Sequence, residues 1–168
     1  TQMLSGTHWG PLDYLVVDMP PGTGDVQLTL TQRVPVSGAV IVTTPQEIAL
    51  LDARKGLQMF RKVNVPVLGI VENMGVHVCP ACGHQSHVFD VGGGADLARR
   101  YETTLLGQLP LDGRIRERAD SGQPTVVADP DGPVAATFHA IARRVAARLA
   151  LGARGGAAQG PVISVEDD

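Results

Sequence analysis

The chain has 168 residues, 43% hydrophobic and 18% charged, enough apolar material for one folded domain and too much for global disorder. A net charge of -3 with 4% aromatic residues supplies neither the basic stripe nor the stacking rings of a nucleic-acid binder. Its longest apolar runs fall far short of the roughly 20 residues that cross a bilayer, and its amino end lacks a basic-then-apolar leader pattern, so the reading is of a cytoplasmic protein with no membrane partner.

The chain opens at Thr1 almost directly before its first strand, which suggests a piece of a longer protein. Residues 14–18, Tyr-Leu-Val-Val-Asp, predict a buried strand closed by Asp18. Ligands of open α/β sheets bind beyond the carboxyl ends of strands, so Asp18 stands where a magnesium ion and its waters would sit; a plain turn is the simpler alternative. In the run that follows, prolines stiffen the backbone, while Gly22 and Gly24 let main-chain N–H groups approach a phosphate.

Residues 39–43 predict a second strand, and Thr44-Pro45-Gln46-Glu47 a helix start with Thr44 as cap and Pro45 in the first turn. The helix runs to about Lys62 with Ala49, Ala53, Leu57 and Phe60 on its core face, and Leu51 and Met59 elsewhere. A third strand, residues 67–71, leads to Asn73, whose amide can both donate to and accept from the N6 and N7 edge of adenine, or simply make a turn. Gly92, Gly93 and Gly94 precede a helix without a following lysine, which reads as close packing at a helix entry, not as a phosphate loop.

Residues 105–109 predict a fourth strand, and Arg114, Arg116 and Glu117 an exposed helix of solvated ion pairs. A last helix, residues 133–149, carries Val134, Phe138, Ile141, Val145 and Leu149 on one stripe, with Arg143, Arg144 and Arg148 off it. Residues 152–168 read as a flexible Gly- and Ala-rich tail that cannot bury enough surface to order itself, leaving one domain over residues 1–151. The strands are apolar at consecutive positions, as in parallel sheets buried on both faces, so the class is α/β: a layered, mostly parallel sheet flanked by helices, and incomplete.

Cys79 and Cys82 are the only cysteines. A Cys-x-x-Cys turn lets two thiolates share one ion or cluster, but two thiolates are half of a four-sulfur shell, which the second copy in a symmetric dimer would complete. A zinc site from Cys79, Cys82, His84 and His87, with His77 in reserve, is the alternative, although its histidine spacing is tighter than in closed zinc shells; a redox dithiol is another.

The ordered series Asp13 to Asp25, Thr44-Pro45-Gln46, Asp52-Ala53-Arg54-Lys55-Gly56, Val71-Glu72-Asn73-Met74, Cys79-x-x-Cys82-Gly83, Gly92 to Gly94 and Pro110-Leu111-Asp112 resembles the Mrp/ApbC/Nbp-type iron-sulfur carrier ATPases of the deviant-Walker P-loop NTPase class. The resemblance implies a 4Fe-4S cluster bridging a homodimer at Cys79 and Cys82, passed on to recipient apoproteins. It also implies ATP and Mg2+ binding, with Asp18 as the magnesium-associated catalytic carboxylate and Gly22 to Asp25 sensing the terminal phosphate. Asn73, Pro110 and Asp112 join Gly22 and Asp25 as nucleotide-binding residues. Asp90 stands where the family pattern has glycine.

The family's phosphate loop is missing, and Lys55 and Lys62, the only lysines, lie in a helix, so the full-length parent is expected to hydrolyse ATP and this chain alone poorly or not at all. A partitioning ATPase of the related MinD/ParA type is a further alternative, against which the cysteine pair and the Met-Pro-Pro-Gly-Thr-Gly run argue.

Overall fold

The computed structural model describes residue 4, residues 6–20, residue 22 and residues 24–156. After helix α1 (Asp25–Arg33), the order is β1 (Ala39–Thr43), α2 (Glu47–Lys62), β2 (Val67–Val78), β3 (Gln85–Ser86), α3 (Gly93–Arg100), β4 (Leu105–Pro110), α4 (Gly113–Asp120), α5 (Thr125–Ala128) and α6 (Pro133–Gly156). β2 is central and parallel to both β1 and β4, and its far end folds back in a short antiparallel pairing with β3.

Two apolar layers hold the sheet. On one face Ile41 and Ile70 meet Leu50, Ala53 and Leu57 of α2 and Leu97 and Ala98 of α3; on the other, Val71, Leu106 and Leu109 meet Phe138, Ile141 and Val145 of α6. The stripe expected on the last helix is therefore the one that packs. Two of the arginines placed off that stripe reach back to β4 and its approach, Arg144 donating to the Leu106 carbonyl at 2.6 Å and Arg148 to Oγ1 of Thr104, the residue before the strand, at 2.6 Å. The helix continues beyond its expected end at residue 149, and beyond the expected domain boundary at 151, to Gly156, since Leu151 and Ala153 are good helix formers; the rest of the expected tail lies outside the described residues.

Several expectations need correction. Residues 14–18 form no strand, and Tyr14, Leu15, Val16 and Val17 are exposed, Val16 by 90%. A strand apolar on both faces needs ladder partners and cover on each side, and the described residues supply neither. β1 is not buried on both faces either: Val42 is 63% exposed because α6 packs on β4 and β2 and stops short of the outer strand. In α2 the buried residues are Leu50, Ala53, Leu57 and Met59, so Met59 faces inward. Thr44 does not cap this helix; Gln46 holds the cap position, and the Thr44 hydroxyl donates to the Gln46 side chain at 2.9 Å.

Among the described residues no helix is long and apolar enough to cross a membrane.

Candidate metal centre and ligand residues

β2 is longer than the apolar run that announced it, because beyond Glu72 it leaves β1 and continues as an arm. Its last pairing with β1 is Thr43 with Glu72; against β4 the register runs from Glu72–Gln108 to Val76–Pro110, four residues of advance on one strand against two on the other. The extra residues form a bulge at Asn73, Met74 and Gly75, with Met74 in the left-handed region at φ 60°. Bulges of this kind turn side chains out of a sheet. Asn73 is thus half-buried where β1 ends, its Oδ1 accepting from the Met74 N–H at 2.9 Å.

At the end of the arm the chain makes the cysteine turn. The Cys79 N–H donates to the His84 carbonyl at 2.9 Å, and the Gly83 N–H to the Cys79 carbonyl at 2.9 Å, with Gly83 at φ 72°. Both thiols are free, Cys82 exposed and Cys79 partly so. Backbone N–H groups of Ala81 and then Cys82, with the Cys82 side chain, hold the Cys79 thiol below its usual range, which favours the thiolate that binds metal.

The histidines do not gather around this pair. His87 Nδ1 is 2.8 Å from the Gly75 carbonyl and His77 Nδ1 is 3.1 Å from the Leu111 carbonyl, and among the described residues no group of three or more metal-type ligands forms. Among the described residues, one copy of the chain thus presents two thiols and no closed four-ligand set.

Pro110 ends β4 opposite Val76, and the Leu111 N–H donates to the Val76 carbonyl at 2.8 Å, so Asn73, Pro110, Asp112 and the cysteine turn are tied to one end of the sheet. Asp112 caps α4, accepting from the Arg114 N–H at 2.9 Å, and the Arg114 guanidinium holds its carboxyl below the usual carboxylate range. Asp18, by contrast, is exposed in a segment that no strand pairing joins to this end among the described residues. Gly22 adopts φ 96°, and Gly24 precedes α1, whose first residue is Asp25. None of these predicted ligand residues lines the cleft of about 430 Å³ between α2 and α3, where Leu50, Arg54 and Gly93 meet.

Two residues escaped the sequence reading. Gln27 is 3% exposed and donates to the Pro20 carbonyl at 2.7 Å and to the Gly22 carbonyl at 3.0 Å, fixing the glycine loop against α1. Glu72 is fully buried. A polar residue on the first turn after a glycine loop could have flagged Gln27, whereas Glu72 lies one residue past the predicted strand and carries no local signal of burial.

The glycine triplet behaves as a helix entry: a Cβ on Gly93 would lie 2.7 Å from Leu50 Cδ1, and one on Gly94 3.0 Å from Glu72 Cβ. Asp90 adopts φ 111°, a conformation costly for any residue with a Cβ. Asp90→Gly is therefore expected to stabilise the chain by about 0.5–1 kcal/mol in urea unfolding, the relieved strain outweighing glycine's extra entropy. An unchanged midpoint would mean that the backbone there is relaxed.

The chain matches the family model of the NUBPL iron-transfer P-loop NTPases over residues 1–146. It is 61% identical over 141 residues to an iron-sulfur cluster carrier protein of Pseudomonas fragi, covering 84% of this chain and 49% of that one, so it spans about half the length of such relatives. Among solved structures it is similar to a nucleotide-binding protein from Archaeoglobus fulgidus in complex with ADP, with TM-score 0.67 and 39% identity, over 78% of this chain and 53% of that chain. A Pyrococcus furiosus cell division ATPase MinD aligns less well, with TM-score 0.53 and 25% identity over 66% of this chain and 43% of that one, so the partitioning alternative is not favoured.

Proposed function

The chain belongs to the family of NUBPL-type iron-transfer P-loop NTPases, and from that premise we propose that it is the cluster-holding part of an iron-sulfur cluster carrier. The observation that carries this reading is the pair Cys79 and Cys82 on a hydrogen-bonded turn with no third ligand in reach among the described residues. A pair of thiolates completes a four-sulfur shell only by meeting another pair, so the cargo is a 4Fe-4S cluster bridging two copies of the chain. Recipients are iron-sulfur apoproteins of the cytoplasm, for which an exposed, labile cluster is the suitable donor.

ATP enters as the effector of the longer protein. Asp18 would associate with Mg2+, the backbone at Gly22 and the Asp25 end of α1 would sense the terminal phosphate, and Asn73, Pro110 and Asp112 would frame the base. The N-terminus of a nine-residue helix beside a glycine loop suits an anionic group. The isolated chain lacks the lysine-bearing phosphate loop and so is expected to turn over little ATP.

Anaerobic reconstitution with iron and sulfide tests the reading. About two irons per chain in a dimer, with broad visible absorption lost to chelator, is the expected outcome. Tight zinc in a monomer without any cluster would favour a structural zinc module instead.

A further inference from the structure

Glu72 lies beneath the bulge from which both Asn73 and the cysteine arm depart, and every polar bond of its carboxylate reaches a different element. Oε1 accepts from Gln108 Nε2 of β4 at 2.6 Å, and Oε2 accepts from the Gly94 N–H in the first turn of α3 at 2.6 Å. The bulge closes over it, since a Cβ on Gly75 would lie 3.1 Å from Oε1. The Gly75 carbonyl in turn receives His87, beyond the cysteine turn, and Val76 next to it is bonded to Leu111, one residue from Asp112.

A fully buried carboxylate is costly unless its oxygens are bonded, so its two donors fix where it sits, and it fixes the bulge. A plain strand interior would take an apolar residue here at no such cost.

We propose that Glu72 is a positioning residue which, through the Asn73–Gly75 bulge, holds the Cys79–Cys82 turn and the base-framing residues in one fixed relation. The role of the turn rests on the carrier reading; the mechanical link does not. Gln108→Glu sets a second carboxylate against Glu72, so the bond is lost and two acceptors face each other, whereas Glu72→Gln alone would keep it by a turn of the Gln108 amide. Adding Glu72→Gln reverses the polarity of that bond and restores it, with the amide oxygen introduced at position 72 still free to accept from Gly94.

The test is hydrogen exchange at the Cys79 and Gly83 amides of the whole chain, with α6 amides as reference, and the half-life of the reconstituted cluster under chelator. Gln108→Glu is expected to speed exchange in the turn about tenfold with α6 unchanged, as loss of one buried bond implies. Cluster loss should accelerate in parallel, and the exchanged pair should return both to wild type. If Gln108→Glu does not fold, Gln108→Leu removes the same bond more gently and should show the same pattern at smaller amplitude.

Wild-type exchange in the turn, equal acceleration in the turn and α6, or no rescue by the exchanged pair would each overturn the assignment. A wild-type chain that takes up no cluster would instead remove the carrier reading, and the exchange rates alone would then decide on Glu72.

Discussion

Replacing both Cys79 and Cys82 by alanine is expected to reduce reconstituted iron from about two atoms per chain to background, and to abolish the cluster-dependent dimer with it. The geometry makes this a clean experiment. The turn is held by Cys79 N–H to His84 and Gly83 N–H to Cys79, both backbone bonds that alanine keeps, and the thiols make no disulfide. Cys82 is exposed and Cys79 partly so, so folding stability should stay within about 0.5 kcal/mol of wild type, as for most surface substitutions. Loss of iron without loss of fold would therefore be assignable to the two sulfurs.

Either single variant should lose nearly as much, because a symmetric dimer with one thiolate per copy offers two of the four ligands a cluster needs. His84 and His87 are the natural substitutes, yet among the described residues neither joins the two cysteines in a group of three metal-type ligands. Iron retained in the double variant would place the metal elsewhere and sink the bridged-cluster reading.

How much of this was legible in the sequence depended on how local each cause was. The cysteine turn is a matter of spacing and a glycine within five residues, and β1 appeared with its own bounds because a β-branched run between Gly38 and Thr44 has few other conformations. The run at residues 14–18 carried an equally strong signal and forms no strand, because pattern specifies what a strand would bury, not whether partners exist to pair with it. Glu72 was hidden for the opposite reason. Its bonds go to residues 22 and 36 positions away, and no window along the chain contains them. The length of β2 was missed with it, since the arm to Val78 is held by the bulge and by β3, not by continued apolar character.

The second large effect is expected at Gly69, where Ala should destabilise the chain by about 3 kcal/mol in urea or thermal unfolding. β2 is squeezed here between two neighbours whose registers both slip: Val40 pairs with Gly69 after a shift from Ala39–Val67, and the β4 register shifts between Ile70 and Val71. The residue sits at φ 155°, and a Cβ there would lie 2.5 Å from the Thr104 carbonyl and 2.6 Å from Leu106 Cγ. Neither can yield cheaply. Thr104 O is the acceptor for the Ile70 N–H at 2.8 Å, and Leu106 is fully buried beneath α6. A methyl group must therefore break a ladder bond or push the strand off its helix, and both moves pass along β2 toward the bulge.

The contrast with Gly83 separates packing from conformation. Gly83 also has a positive φ, 72°, but a Cβ there meets nothing within 4 Å, so its alanine variant should lose about 1 kcal/mol from backbone strain alone. Equal losses at the two glycines would mean that β2 relaxes around an added methyl group, and that the close approach at Thr104 does not hold the sheet together.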